Sequence, residues 1–150
     1  MPDRSTRLAA ALTLLAVGCA SGPTALYEGA PRDRSRIAVL RRAGSHPDVT
    51  VFRIDDTDTR GFEWHMEPGP HRVWVKLLQY GTALNVEFTA WSYCWIDFET
   101  RAGDDYQIVS ENNQEAAGAD TAVTLGTRIV DGRGMTVGEP ECSGRAPRFR

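Results

Sequence analysis

The sequence predicts an all-β protein, an antiparallel β-sandwich of about seven strands that follows a signal peptide and a flexible tether. Short segments rich in β-branched and aromatic residues alternate apolar and polar positions, which is typical of strands with one buried face. Glycine, proline and aspartate separate these segments at short intervals, as turns do. No segment after residue 18 carries a sustained apolar stripe of helical period. These patterns together favour two sheets packed face to face.

The first residues have the pattern of a secretory signal peptide. Residues 8–17 are apolar except for Thr13, and Arg4 and Arg7 make the preceding flank net positive. The run is about half as long as the roughly 20 residues that a membrane-spanning helix needs. A charged start followed by a short apolar run indicates a segment that is removed on export. We therefore expect residues 1–18 to be a signal peptide.

A cysteine follows the signal peptide directly. Residues 15–19, LAVGC, resemble the lipobox of bacterial lipoproteins, in which a small residue precedes an acylated cysteine. The resemblance implies a palmitate-bearing anchor on Cys19, strong enough to hold the protein on a membrane. Ala20 follows in place of the Asp that marks retention, which implies the inner leaflet of the outer membrane, facing the periplasm. The alternative is cleavage after Ala20, which would release a soluble protein.

The rest of the chain divides into three parts. Residues 19–35 comprise the acylated cysteine and a small, polar, proline-punctuated tether. Residues 36–142 form the predicted sandwich, and residues 143–150 form a short basic tail, which is typical of a solvated chain end. A single domain of this size can bury a substantial core.

Charge and cysteine content restrict the partners and the compartment. The net charge is −3, and it becomes −4 when Asp3, Arg4 and Arg7 are removed with the signal peptide. This mild acidity gives no reason to expect a nucleic-acid partner. With Cys19 used by the anchor, Cys94 and Cys142 remain in an oxidising compartment, so we expect a disulfide between them. The alternatives are a buried free thiol at Cys94 and an exposed one at Cys142.

The strands are predicted from alternation and the loops from composition. In residues 71–80, for example, Val73, Val75 and Leu77 alternate with bulkier or polar neighbours. Residues 55–61 and 67–70 predict turns, the second a tight reversal at EPGP, and residues 111–120 predict a loop. The predicted strands lie at 36–40, 49–54, 62–66, 71–80, 86–90, 96–100 and 106–109, with a final hairpin over about 123–137 that turns at 131–134.

Several of these segments resemble a known family. Residues 67–75, EPGPHRVWV, and 98–108, FETRAGDDYQI, look like the turn-and-strand segments of PEGA-type domains and of a group of small uncharacterised bacterial lipoproteins. Residues 27–31, ahead of a first strand, and the closing strand at 129–131 fit the same pattern. The resemblance implies a transthyretin-like or immunoglobulin-like sandwich on the cell envelope. It brings no catalytic residues with it.

One short segment carries residue types that bind copper. His65, Met66 and His71 offer imidazole and thioether groups within seven residues. Adjacent residues on a strand point to opposite faces, however, so His65 and Met66 are poorly placed to share an ion. We therefore expect structural roles, no bound metal and no cofactor. A nucleophile elbow, a metal-protease motif and a P-loop are all absent from the sequence, which predicts a protein that is not an enzyme.

The middle of the chain is rich in aromatic residues that strand parity sorts into sets. Strand alternation places Trp74 on the face opposite to Val73 and Val75. It also places Trp91, Tyr93 and Trp95 together on one face of their strand. The four aromatic residues form a candidate binding surface, or else they cover the sheet. We expect a non-enzymatic binding or structural accessory domain of the envelope. The alternatives are a glycan- or peptidoglycan-binding module with an aromatic surface and a periplasmic copper-binding protein.

Overall fold

The fold is an all-β sandwich of two sheets, as the sequence predicts. The computed structural model describes residues 22–43, 49–83, 86–117, 120–143, 145 and 147, with the backbone alone at 83, 112–117 and 120–125. These residues include no α-helix, and Arg34–Arg36 form a 3-10 turn. The strands are β1 (Thr24–Ala25), β2 (Ala38–Arg42), β3 (Val49–Ile54), β4 (Thr57–Asp58), β5 (Glu63–Met66), β6 (Gly69–Ala83), β7 (Val86–Thr100), β8 (Asp105–Ala117), β9 (Asp120–Asp131), β10 (Thr136–Gly138) and β11 (Pro140–Ser143).

The first sheet has the strand order β4-β3-β6-β7-β11, and all its pairs are antiparallel. Its centre is the long β6–β7 hairpin, in which Val73 pairs with Ile96 and Val75 pairs with Cys94. These four side chains are fully buried. Because successive residues of a strand point to opposite faces, the residues between them lie on the outer face of the sheet.

The second sheet has the order β1-β5-β2-β8-β9-β10. It contains two parallel pairs, β1 with β5 and β2 with β8, so the sandwich is not wholly antiparallel. Strand β1 lies within the segment that the sequence predicts as a tether, and Leu26 after it packs against the core. The folded part of the chain therefore begins before residue 36.

The core lies between the sheets and draws on both of them. Trp64 of β5 is its largest fully buried side chain, and the indole Nε1 donates a hydrogen bond of 2.7 Å to Thr59 Oγ1. Tyr106 is also buried, and its hydroxyl accepts a hydrogen bond from the Arg101 amide. Burial raises the pKa of Tyr106. Both polar atoms thus have partners inside an otherwise apolar layer.

The two sheets are joined at one end by the long hairpins. Tyr80 of β6 pairs with Val123 of β9, beyond the part of β6 that pairs with β3. We call the end of the sandwich where β6 passes to β7 and β8 passes to β9 the outer end. At the opposite end the chain passes from β10, on the second sheet, to β11, on the first. Cys142 of β11 forms a disulfide with Cys94 of β7, which confirms the predicted pairing.

Three expectations about the strands are wrong. In the segment 111–120, predicted as a loop, residues 111–117 belong to β8 and Asp120 to β9, whose register continues to Ala117 and Asp120. Residues 86–100 form one strand instead of two. The EPGP segment connects β5 in the second sheet to β6 in the first instead of closing a hairpin. In each case pairing with another strand decides the outcome, and the alternation of side chains within the segment does not contain that information.

Two glycines near the start of a strand have positive φ angles. Gly69 has φ +138° and Gly103 has φ +84°, a region of backbone conformation that favours glycine. The Gly103 amide donates to the carbonyl of Ile37, which fixes the start of β8 beside β2. The chain also turns after Asp131, as the Asp-Gly pair predicts.

Candidate functional site

Aromatic side chains gather on the outer face of the first sheet. The register of β6 with β7 sets Trp74 opposite Trp95, Lys76 opposite Tyr93 and Leu78 opposite Trp91. All of them have the parity opposite to that of the buried Val73, Val75 and Cys94. We call this surface the aromatic face and define it by Phe52, Trp74, Lys76, Trp91, Tyr93 and Trp95.

The rings of the aromatic face contact one another across the strands. The Trp74 and Trp95 ring centroids are 5.6 Å apart with a tilt of 47°, and Phe52 meets Tyr93 edge to face at 6.2 Å. Phe52 reaches this face because β3 carries an irregularity between Val51 and Arg53, which places an extra residue opposite β6. Such ring contacts hold the side chains in fixed orientations.

Cations lie over the rings. Lys76 Nζ is 3.8 Å from the centroid of Trp91 and 5.9 Å from that of Tyr93. Arg72 Cζ lies 5.8 Å from the Trp74 ring. A cation over an aromatic face is attracted by the ring quadrupole. The aromatic face is therefore also a positively charged surface at its centre.

The charges at the border of the aromatic face differ in how they are neutralised. Arg72 donates two hydrogen bonds of 2.6 Å to Asp97, and this pair holds the pKa of Asp97 below its ordinary value. Arg53 contacts Asp56 and Asp58. Lys76, in contrast, is paired with no carboxylate among the residues that the structure describes. Its ammonium group is the cation that remains for a ligand.

The aromatic face has the shape of a ridge with polar flanks. Trp74 and Leu78 are four residue steps apart along β6, which corresponds to about 13 Å. On one side Thr50 of β3 lies opposite Lys76, and on the other Ser143 of β11 lies opposite Tyr93. Trp91 is 40% exposed, while the other three predicted aromatic side chains are partly buried against their neighbours. The aromatic face thus offers rings, hydroxyl groups and one cation to a ligand on a single surface.

The structure brings together all four aromatic residues that the sequence singles out. Trp74, Trp91, Tyr93 and Trp95 lie on one face, in two neighbouring strands. Sequence reasoning missed Phe52 and Lys76. Lys76 shares the parity of Trp74, so strand alternation alone could have placed it there. Phe52 could not have been found, because the irregularity in β3 shifts its position relative to β6.

The copper-binding residue types do not converge. Met66 is fully buried in the core, and His65 Nε2 lies 2.8 Å from Glu63 Oε1. His71 lies at the other side of the EPGP segment, where Nδ1 is 2.7 Å from Asp55 Oδ2 and Nε2 is 2.7 Å from the Glu67 carbonyl oxygen. Among the described residues, no group of three or more His, Cys, Asp and Glu side chains could hold a metal ion.

A shallow groove of about 530 Å³ lies next to His71, at the end opposite the outer end. Four of its polar side chains are already engaged: Asp55 contacts His71 and accepts a hydrogen bond from the Arg72 amide, and Arg72 contacts Asp97. These contacts tie the turn after β3 to the start of β6. The groove offers fewer free polar groups than the aromatic face.

The predicted lipidation site, Cys19, lies outside the described residues, as do the signal peptide and most of the basic tail. Within the described part of the chain, no helix has the length and apolar content of a membrane span. No family model, no curated protein and no solved structure matches the chain.

Proposed function

We propose that this protein is a lipid-anchored lipoprotein of the bacterial envelope and that its sandwich is a non-enzymatic domain that binds a glycan of the peptidoglycan type. The observation that carries the proposal is the row of fixed rings around Lys76 on the aromatic face. The signal-peptide pattern, the Cys19 lipobox resemblance and the Cys94–Cys142 disulfide support the envelope location.

The aromatic face has the chemistry that a sugar chain requires. A pyranose ring has an apolar face of C–H groups and a polar edge of hydroxyls, so it stacks on an aromatic ring while its edge forms hydrogen bonds. Trp74, Trp91 and Trp95 supply the stacking surface, and rigid rings lose little conformational freedom on binding. Thr50 and Ser143 supply hydroxyls at the flanks.

Lys76 favours a glycan that carries carboxylates. Its ammonium group lies between two rings and has no carboxylate partner among the described residues. A hydrogen bond between two ionised groups is about twice as strong as a neutral one. Peptidoglycan sugars whose lactyl carboxylate is not amide-linked to a stem peptide offer such a group next to a pyranose ring, so one ligand would use both features of the site.

Tryptophan fluorescence of the purified protein, titrated with muramic-acid-containing fragments, tests the proposal. We expect saturable quenching, and Trp91→Ala or Trp95→Ala should weaken binding roughly tenfold or more, since truncation of an aromatic anchor costs over about 1.4 kcal/mol. Phe62→Ala is the matched control, because Phe62 is 58% exposed and has a cation of its own, Arg42, over the ring.

Binding of neutral oligomers of N-acetylglucosamine distinguishes the contribution of the aromatic rings from that of the Lys76 ammonium group. Lys76→Met should reduce affinity for the carboxylated fragments and leave affinity for the neutral oligomers unchanged. Absence of quenching by either ligand, in a protein that is folded by circular dichroism, would reject glycan binding and favour a protein partner for the aromatic face.

A further inference from the structure

The strand order fixes the direction from which the chain enters the sandwich. Strand β8 runs towards the outer end, and β2 is parallel to it. Strand β5 is antiparallel to β2, and β1 is parallel to β5, so β1 runs away from the outer end. The chain immediately before Thr24 therefore approaches from the side of the outer end.

The register also gives distances along this direction. Thr24 lies level with Tyr106, through β5 and β2. Tyr80 lies level with Gln114, eight residues further along β8, which corresponds to about 26 Å. Five residue steps separate Cys19 from Thr24 and span at most about 18 Å. The backbone of Cys19 therefore cannot reach past the outer end, and the hairpin strands extend beyond it.

The same end of β6 and β7 exposes apolar side chains. Val86 is 65% exposed, Phe88 40% and Tyr80 39%. Every residue of β7 from Val86 to Trp91 is exposed. By register, Val86 and Phe88 lie on one face of the hairpin and Tyr80 lies on the other. Exposed apolar side chains of this kind mark contact surfaces, and tyrosine favours the boundary between lipid and water.

From these two observations we infer that the outer end of the β6–β7 hairpin is a membrane-contact surface, with Tyr80, Val86 and Phe88 in the lipid interface. The inference rests on the proposed lipid anchor at Cys19, because the short tether is what brings this end to the bilayer. Exposed Glu87 on the same segment would be repelled by anionic headgroups, so the contact favours a neutral lipid surface. Side chains at such a surface enter the headgroup region by about 5–10 Å.

Photo-crosslinking of the acylated full-length protein in vesicles of phosphatidylethanolamine and phosphatidylcholine tests this orientation. Benzoylphenylalanine replaces Val86 in one variant and Met135 in another. The two side chains are equally exposed, at 65%, but Met135 lies in the turn after β9, at the opposite end. We expect covalent phospholipid adducts, measured by mass spectrometry, in the variant with the crosslinker at position 86. We expect none in the variant with the crosslinker at position 135. A third variant with the crosslinker at Phe88 should behave like the first.

The intact mass of each preparation separates the two proposals. An acylated protein that forms adducts equally at positions 86 and 135, or only at 135, overturns the membrane-contact surface and leaves the anchor in place. A mature chain without acyl groups overturns the anchor and, with it, the inferred contact. Adducts at positions 86 and 88 but not at 135, in an acylated chain, support both.

Discussion

The Lys76 ammonium group lies 3.8 Å from the centre of the Trp91 ring, and Trp91 is two residues along β7 from Tyr93, the cross-strand partner of Lys76. This diagonal contact links β6 to β7 at the centre of the aromatic face. A partly exposed cation–π contact contributes about 0.5–1 kcal/mol. We expect a double-mutant cycle of Lys76→Met and Trp91→Leu, measured by urea unfolding, to give a coupling free energy in this range. Additive effects of the two substitutions would show that the contact does not form in solution.

The disulfide should contribute strongly to stability. Cys94 and Cys142 are opposite each other on β7 and β11, with Cα atoms 4.0 Å apart and a sequence separation of 48. Closing a loop of that length lowers the entropy of the unfolded chain by the equivalent of about 4 kcal/mol. We expect the double variant Cys94→Ala/Cys142→Ala to lose about 2–4 kcal/mol of unfolding free energy. Reduction of the wild type should lower the urea midpoint similarly, and an unchanged midpoint would contradict the prediction.

Gly138 is required by its neighbours rather than by its backbone conformation. A Cβ atom there would lie 2.7 Å from Ile96 Cγ2 and 3.1 Å from both the Asp97 carbonyl oxygen and Phe98 Cβ. Overpacking of this kind typically costs about 1–3 kcal/mol. We expect Gly138→Ala to lower the melting temperature. Gly132→Ala, whose Cβ would meet nothing nearer than 3.7 Å, is the control and should have little effect.

The buried indole of Trp64 depends on Thr59. The hydrogen bond from Trp64 Nε1 to Thr59 Oγ1 is 2.7 Å long and lies inside the core. Removal of a buried acceptor leaves the donor unsatisfied at a cost of about 1–3 kcal/mol. Thr59→Val, which keeps the shape, should lose this much unfolding free energy in urea titrations. Thr59→Ser keeps the hydroxyl and should lose less, whereas equal losses would place the effect in packing instead.

The Arg72–Asp97 pair predicts a pH-dependent term in stability. Arg72 holds the pKa of Asp97 below its unfolded value of 3.8, so the pair stabilises the fold above that pH. The contribution is lost as the pH falls from about 4 through the folded pKa. Because both side chains are about half exposed, we expect only about 0.2–1 kcal/mol from it.

Comparison of the wild type with Asp97→Asn by urea unfolding at pH 7, 5 and 3 checks this prediction. The difference in unfolding free energy should be constant between pH 7 and pH 5 and should shrink towards pH 3. Asp56→Asn serves as the control, because Asp56 is fully exposed and its contact with Arg53, at 3.5 Å, is longer than the 2.6 Å contact between Asp97 and Arg72. A difference that grows on acidification would reverse the assigned sign.

The sequence by itself determined which segments are strands wherever apolar and polar side chains alternate within the segment. Strand β3 has the predicted bounds, and Val73, Val75 and Leu77 of β6 turn inward as their parity requires. The same parity placed the candidate aromatic residues on the other side of their strands. A period of two needs no knowledge of the partner strand, because each pleated strand sorts its own side chains.

Only the tertiary structure decided what those strands face and how far they extend. The cross-strand register brought Lys76 to Trp91 and Trp74 to Trp95, and an extra residue in β3 added Phe52. Pairing between β8 and β9 made strand out of residues 111–117, where side-chain alternation is absent. The physical reason is that backbone hydrogen bonds to a partner strand stabilise an extended segment whatever its side chains, and the sequence alone does not say which strand will be the partner.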